Sequence, residues 1–479
     1  MVVPPVDHDC VLKDVVVELS NELAKMRHEI AQLKKAHIGP KTERSKMPRV
    51  PSTPPTAEQQ LATRAANAKQ RAESQTVRVE HKVSDEKRTC PSCGNAKLKL
   101  LGKGRLSTVW EFVPASFVKH EHVQEVLKCK CGDYVVAADA PKIIEGGRYG
   151  ASVLAHLVVA KCADHLPLYR LEKDFRRQGF PLARSTMNEL LHRAATITQP
   201  ISRRLLEKIR TRDVVQADET RMLMQNGGGG KPKNGFVWTF VAADDDGETD
   251  VALVFAPDRS AETPRKVLQT TKGFLVVDAY AGYNAVVDVD GRTRAACHAH
   301  LRRYFHEALQ TAPVAQVGID LILGLYRVEH EARDAGIVGS PKHLELRRTK
   351  SPAIRERLRS WLVEQRPHHP PRSPMGVAIQ YGLKRWDDLG RFLDDARVPL
   401  DNNASERALR RVALGRKNYL FVGDANAGAN IAGLYSLIAT CETRGINPFA
   451  YFVDVIGRVQ DHPAAKLDEL LPGAWGRAA

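Results

Sequence analysis

The chain has 479 residues, 43% of them hydrophobic, and 72 Lys and Arg against 56 Asp and Glu give it a net charge of +16. A chain of this length and apolar content builds more than one domain, and its basic balance points to a polyanionic partner. Eight cysteines over that length do not make a disulfide scaffold, residues 1–10 with Asp7 and Asp9 do not read as a secretory signal, and no stretch nears the roughly 20 apolar residues of a membrane span.

The first element is a helix over 8–38. Leu12, Val16, Leu19, Leu23, Met26, Ile30 and Leu33 recur at alternating steps of four and three. They share one helical stripe, which predicts a short coiled coil and a homo-oligomer; one amphipathic helix packed on its own domain has the same pattern. Residues 39–85 read as a linker, with Pro40, Pro48, Pro51, Pro54 and Pro55 among basic residues and weak helical character over 57–74.

A compact module follows over 86–140. Cys90-Pro-Ser-Cys93-Gly and Cys129-Lys-Cys131-Gly are two knuckles separated by β-like sequence, the second tighter than the usual Cys-x-x-Cys. Their thiolates suit a tetrahedral Zn²⁺ in a zinc ribbon, and a closed site made only of cysteines is structural, not catalytic. A redox pair or buried free thiols are the alternatives.

Residues 145–208 read as a helical domain. The stretch 168–178 is amphipathic, Gly179-Phe180-Pro181 breaks it, and Ser185 is placed to N-cap a helix over 185–195. Two helices on a short Gly-containing turn, with Arg176, Arg177, Arg184 and Arg193 nearby, form a helix-turn-helix candidate for DNA; an ordinary helical hairpin has the same signature.

The character changes over 209–300. Short β-like runs lie at 214–215, 236–242, 251–255 and 274–277, with turns at 227–230 and 244–247 and a helix over 261–270. This order predicts a mixed α/β sheet. The glycines at 227–230 lack the Gly-Lys-Ser/Thr ending of a phosphate loop and read as a hairpin turn. Residues 301–398 are helical and basic, 399–460 are again α-rich, and 461–479 form a tail.

Three acids are candidates for chemistry. Asp218 follows the run Val214-Val215-Gln216-Ala217, Asp278 closes Phe274-Leu275-Val276-Val277, and Glu406 stands far downstream at a helix start. An acid at a strand's end sits at the lip of a sheet, where open α/β folds bind ligands. Carboxylates from distant positions can gather two Mg²⁺ or Mn²⁺ ions, which favour hard oxygen ligands. Each acid also has a local reading. Asp218 and Asp278 suit turns. Glu406 suits a capping box with Asn403 or an i,i+4 pair with Arg410. Asp401 is a further candidate that spacing leaves open. Trp386, in Lys384-Arg385-Trp386, reads as a core residue at helical spacing or as a stacking surface for an unpaired base.

Several strings resemble the insertion-sequence-66 family of bacterial transposases. They are Gln216-Ala-Asp218-Glu-Thr220, Asp278-Ala-Tyr-Ala-Gly-Tyr-Asn284, Cys297-His-Ala-His300-Leu-Arg-Arg-Tyr-Phe305, and the run from Asp401 through Asn403, Glu406, Arg407, Leu409 and Arg410 to Gly415-Arg-Lys-Asn-Tyr-Leu-Phe421. The end, Asp461-His-Pro through Trp475, also fits, as do the heptad and the cysteine knuckles. His298, Ala279 and Arg411 stand where the family usually has Trp, Gly and Pro.

The resemblance implies a DDE transposase with a ribonuclease H-like α/β core interrupted by an all-α insertion. Asp218, Asp278 and Glu406 fall on the positions of the family's acidic triad, which binds two Mg²⁺ or Mn²⁺ ions. The implied partners are the element's terminal inverted repeats, target DNA and small accessory proteins of the same element, in the cytoplasm at the nucleoid. Arg407, Arg410, Arg411, Arg416 and Lys417 then become candidates for DNA phosphates beside the metals, against the plainer reading of a solvated helix face. Cys297 and His300 resemble a Cys-x-x-His element found near transposase active sites; two residues alone do not make a metal site, and His300 reads as a structural or orienting histidine. A catalytically inactive DNA-binding regulator of the same fold, or a structure-selective nuclease, has the same sequence signature.

Overall fold

A computed structural model describes residues 148–225, 231–244, 246–287 and 291–476, with short pieces at 117–119, 126–128 and 135–137 and single positions between 18 and 65. Within the predicted heptad, Leu19, Leu23 and Met26 are helical and exposed. The other heptad positions, the linker prolines, the glycines at 227–230 and all four knuckle cysteines lie outside the described residues. Strands β1 (Val126–Lys128) and β2 (Val135–Ala137) pair antiparallel on either side of the second knuckle in sequence.

Leading directly into the main sheet are α1 (Ala151–Cys162), α2 (Leu168–Arg177) and α3 (Arg184–Thr211). The turn between α2 and α3 uses Gly179 at φ +77°, a conformation that side chains other than Gly resist. Helix α3 starts two residues before the start implied by a Ser185 cap, and Ala183 is its N-cap. It also runs beyond Pro200, where a break is expected. Ile201, Leu205 and Ile209, one turn apart and buried, hold the second half in place, so tertiary burial outweighs the lost backbone hydrogen bond. Among the arginines of this hairpin, Arg177, Arg184 and Arg193 are ion-paired to Asp174, Glu172 and Glu189.

The main sheet is the mixed α/β sheet that the run order predicts. Five of its strands are β3 (Val214–Met224), β4 (Lys233–Ala243), β5 (Thr249–Ala256), β6 (Phe274–Val277) and β7 (Thr293–Ala296), in the order β5-β4-β3-β6-β7, and a short strand from the end of the chain pairs with β3 as well. The first three form an antiparallel meander; β6 lies parallel to β3, and β7 parallel to β6. A short helix α4 (Glu262–Leu268) carries the chain across, as a parallel connection requires. Gly273, at φ +107°, opens β6 where a Cβ would strike the carbonyl of Asp213 at 2.2 Å. Helix α5 (Asn284–Val287) fills the connection to β7.

Between β7 and the return to the sheet lie α6 (His298–Ala308), α7 (Ala315–Asp334), α8 (Pro341–Gln365) and α9 (Pro374–Lys384). They bury their own core of Leu301, Phe305, Ile322, Leu358, Leu362 and Ile379. Trp386 is partly buried against this core, with the Arg355 guanidinium 4.4 Å from its ring centroid, so the core reading of that Trp holds. The buried Arg347 accounts for the exit from the insertion. It binds the carbonyls of Phe392, Asp395, Ala396 and Val398 and the carboxylate of Glu329. Val398 and Leu400 then pack on Val276 and Ala295 of the sheet.

The chain ends in α10 (Asn403–Tyr419), β8 (Phe421–Val422), α11 (Ala425–Thr443) and α12 (Pro448–Arg458). Helix α11 covers β5. The hydroxyls of Ser436 and Thr440 accept from the amides of Leu253 (2.8 Å) and Val251 (3.0 Å), closing a strand edge that would otherwise leave buried donors unmet. Gly428 allows this approach, because a Cβ there would meet the Phe255 ring at 2.5 Å.

Candidate active site

The three acids come from three elements that meet at one edge of the parallel half of the sheet. Strand β3 pairs with β6 as Val214↔Phe274, Val215↔Leu275 and Gln216↔Val276. Continuing that offset sets Asp278, just past the end of β6, beside Asp218. Adjacent strands are about 4.8 Å apart. Asp218 is not at the end of its own strand, as the short run at 214–215 implies; β3 continues to Met224, paired with β4. It is the neighbouring β6 that stops, and this opens space beside Asp218.

Each acid is held by its surroundings. Asp218 accepts from the amide of Glu219 at 2.9 Å. Asp278 accepts from the amide of Tyr280 at 2.9 Å, and its carbonyl receives the guanidinium of Arg294 at 2.7 Å. That buried Arg294 also binds Asn284, so β7 braces the loop that carries Asp278. Glu406 lies in the first turn of α10, its carboxylate 3.5 Å from Arg303 and 4.0 Å from Nε2 of His300 on α6.

The start of α10 is sewn to the sheet. Asn402 donates from its side chain to the carbonyl of Ala217 at 2.7 Å and from its amide to Sγ of Cys297 at 3.3 Å. Leu400 accepts from both the amide and the ring of His298. Asp401 receives the hydroxyl of Tyr326 at 2.7 Å and the amide of Asn403 at 3.0 Å. Asp401 thus satisfies the first amide of α10, whose N-cap is Asn402, and the capping box between Asn403 and Glu406 does not form. Burial pushes the Cys297 thiol up to about 12 and the His298 imidazole down to about 3, so both are neutral structural groups.

The acids act on one another electrostatically. Burial and the neighbouring Glu219 charge, then the charges of Asp278 and Glu406, push the Asp218 carboxyl up to about 7, against the hydrogen bond from the Glu219 amide. Burial first, then Arg303, lowers the His300 imidazole.

Residues 146–430 match the model of the Transposase IS66 family, 436–472 the IS66 C-terminal element, and 87–132 the zinc-finger binding domain of transposase IS66. The chain belongs to the IS66 transposase family. Similar proteins include two from Sinorhizobium fredii (strain NBRC 101917 / NGR234). Uncharacterized protein y4hP is 30% identical over 423 residues, covering 84% of this chain and 76% of that protein. Uncharacterized protein y4jD is 31% identical over 410 residues, covering 82% and 79%. No helix among the described residues is long and apolar enough to cross a membrane.

IS66 membership implies use of a divalent metal, and the zinc-finger match over 87–132 supports a zinc site. The donor chemistry of Asp218, Asp278 and Glu406 fits a hard divalent cation: three carboxylates, one of them raised mainly by burial and the Glu219 charge, with smaller contributions from the other two. Among the described residues, however, no three such side chains stand close enough to clasp one ion as they are. Glu406 is instead turned to Arg303 and His300.

A further set of residues supports this IS66 site. The Glu219 carboxylate is 2% exposed, accepts from Tyr283 at 2.7 Å and is ion-paired with Arg259, which stacks on Tyr280 at 3.9 Å. Glu219, Tyr280, Tyr283, His300 and Arg303 all sit inside the strings that resemble the family, which is the signal available for them. Arg259 and Arg294 lie outside those strings.

The five basic residues of α10 divide by geometry. Arg407, Arg410 and Lys417 are exposed and make no ion pair among the described residues. Arg411, 15% exposed, is paired with Glu442 at 2.7 Å. Arg416 donates to Thr220 at 3.0 Å and to the carbonyl of Arg221.

Proposed function

We propose that this IS66-family chain is the transposase of an insertion sequence, which cleaves DNA strands at its element's terminal inverted repeats and joins the freed 3′ hydroxyl to target DNA. The observation that supports this reading is the β3–β6 register, which sets Asp278 beside Asp218, together with the Asn402 bond that ties the helix start carrying Glu406 to Ala217. In this reading the core is ribonuclease H-like, and α6–α9 form the helical insertion that delivers Glu406.

Asp218, Asp278 and Glu406 would hold divalent cations, for which Glu406 must leave Arg303. Bound Mg²⁺ or Mn²⁺ supplies Lewis-acid stabilisation of the charge developing on the phosphate oxygens. The chain's residues do the remaining work. Asp278 is fixed by Tyr280 and Arg294, so its carboxylate needs little reorganisation. Asn402 ties the start of the helix that carries Glu406 to the strand that carries Asp218. Water attacks phosphorus and the 3′ oxygen leaves; that 3′ hydroxyl then attacks a target phosphate, and the target's own 3′ oxygen leaves.

Arg407, Arg410 and Lys417 hold phosphates along the exposed side of α10, with Arg416 at its edge. Residues 86–140, as a zinc module using Cys90, Cys93, Cys129 and Cys131, and the α2–α3 hairpin recognise the terminal repeats. The N-terminal heptad pairs protomers, consistent with the exposed Leu19, Leu23 and Met26, because two DNA ends must be brought together.

The test is a cleavage and joining assay on the element's own ends with Mg²⁺, comparing the wild type with Asp278→Ala. Joined product from the wild type alone supports the proposal. No product from either would leave a DNA-binding regulator, equal joining by both would remove Asp278 from the chemistry, and cleavage without joining would leave a nuclease.

A further inference from the structure

A pocket of about 120 Å³ opens where the end of α10 and β8 meet α1, α3 and α11. Its walls and its polar groups are of different kinds. Tyr419 and Phe421 supply aromatic surface, and Phe421 is 39% exposed at the end of its short strand. Asn188, His192 and Asn430 supply amide and imidazole groups, with Asn430 and His192 joined at 2.8 Å. Lys161 brings an ammonium 3.5 Å from the centroid of the Tyr419 ring. Among the described residues that ammonium has no carboxylate partner, and burial lowers it to about 8. A half-buried cation facing an open pocket without a counter-ion is costly unless an anion joins it.

An aromatic face, edge groups that both donate and accept, and an unpaired cation together match a nucleotide: a base to stack, its edge to read, and a phosphate to neutralise. The position matches as well. Phe421 pairs with Leu223 on β3, five residues beyond Asp218, or about 17 Å along a strand. Tyr419 lies thirteen residues after Glu406, or about 20 Å along the helix. At about 3.4 Å per base step, that is five or six steps from the acids. Arg407, Arg410 and Lys417 line the exposed side of α10 between the two places.

We infer that the Lys161–Tyr419–Phe421 pocket receives an unpaired nucleotide of the DNA whose phosphate is cut at the acids. This rests on the proposed function and adds a second point of attachment on the same strand. The base stacks on Phe421, Asn188, His192 and Asn430 face its edge, and Lys161, held over the Tyr419 ring, meets its phosphate.

The experiment uses the full chain and two labelled duplexes of one sequence, one fully paired and one carrying a bulged 5-iodouracil. Binding is read by anisotropy, and proximity by photo-crosslinking with peptide mass spectrometry. The expected result is about tenfold tighter binding of the bulged duplex, the scale of one base stacked on an aromatic ring, with cross-links in the peptides holding Tyr419 and Phe421. Phe421→Ala should remove the preference while binding the paired duplex as before, and Phe421→Trp should restore it. Equal affinity for both duplexes, or a preference unchanged in Phe421→Ala, overturns the inference while DNA binding stands. Cross-linking abolished by free dAMP in a protein with no bulge preference assigns the pocket to free nucleotide and overturns it too. Failure to bind either duplex overturns the transposase reading with it.

Discussion

The side-chain amide of Asn402 donates to the carbonyl of Ala217 at 2.7 Å, so the start of the helix that carries Glu406 is bonded to the strand residue beside Asp218. Asn402 is fully buried. Replacing it with Ala leaves that carbonyl without its donor and loosens the link between two of the acids. Asn402→Ala is expected to cost about 1–3 kcal/mol of stability and to lower joining by more than the fraction unfolded. Thermal denaturation beside a single-turnover assay separates the two effects.

The raised Asp218 carboxyl predicts a pH dependence with a defined sign. Its folded pKa, about 7, exceeds the ordinary carboxyl value of 3.8. Stability from this group is fully present below about pH 4 and is lost as pH climbs towards 7, because the unfolded chain ionises first. Asp218→Asn removes the loss. Without divalent metal, the variant should therefore melt above the wild type at neutral pH, and the two should converge near pH 4. In the wild type, Mg²⁺ affinity should rise with pH through about 7, since the cation needs the ionised carboxylate.

Much of the fold and the site is legible in the sequence, for physical reasons. Strand β6 is readable to the residue because Phe274-Leu275-Val276-Val277 is a buried parallel strand, apolar on both faces. Most of strand β3 is not, since it carries Asp218, Glu219, Thr220 and Arg221 within its length. Pairing to β4 and the burial of Met222 keep those polar residues in a strand. The acids stand out because they lie in strings that resemble the family. Arg294 and Arg259 lie outside those strings, and the supporting role of Asn402, inside one of them, is not readable either, because each acts across a stretch of chain that spacing does not encode.

Helix α10 should divide its arginines by function. Arg407→Ala, Arg410→Ala and Lys417→Ala are each expected to weaken DNA binding for all sequences alike and to lower the salt slope by about 0.9 for each phosphate that is no longer neutralised. Arg411→Ala, which breaks the pair with Glu442, should lower the melting temperature and leave the salt slope unchanged. Binding isotherms across a salt series make the comparison.

The cysteine module should hold zinc independently of the acids. Elemental analysis of the purified chain is expected to give about one Zn²⁺ per protomer, absent from a Cys90→Ser, Cys93→Ser double variant. That variant should lose selective binding of terminal repeats and keep the melting transition of the sheet domain. An unchanged zinc content would remove Cys90 and Cys93 from the ligand set.

The convergence of Asp218, Asp278 and Glu406 on a shared divalent cation can be read directly by iron-mediated backbone cleavage. Fe²⁺ is substituted for Mg²⁺ in the full chain, and ascorbate and peroxide generate local hydroxyl radicals. The account predicts cuts near residues 218, 278 and 406 together, all suppressed by excess Mg²⁺ and by Asp278→Ala. Cuts confined to one of these positions, or placed elsewhere and indifferent to Mg²⁺, would contradict it.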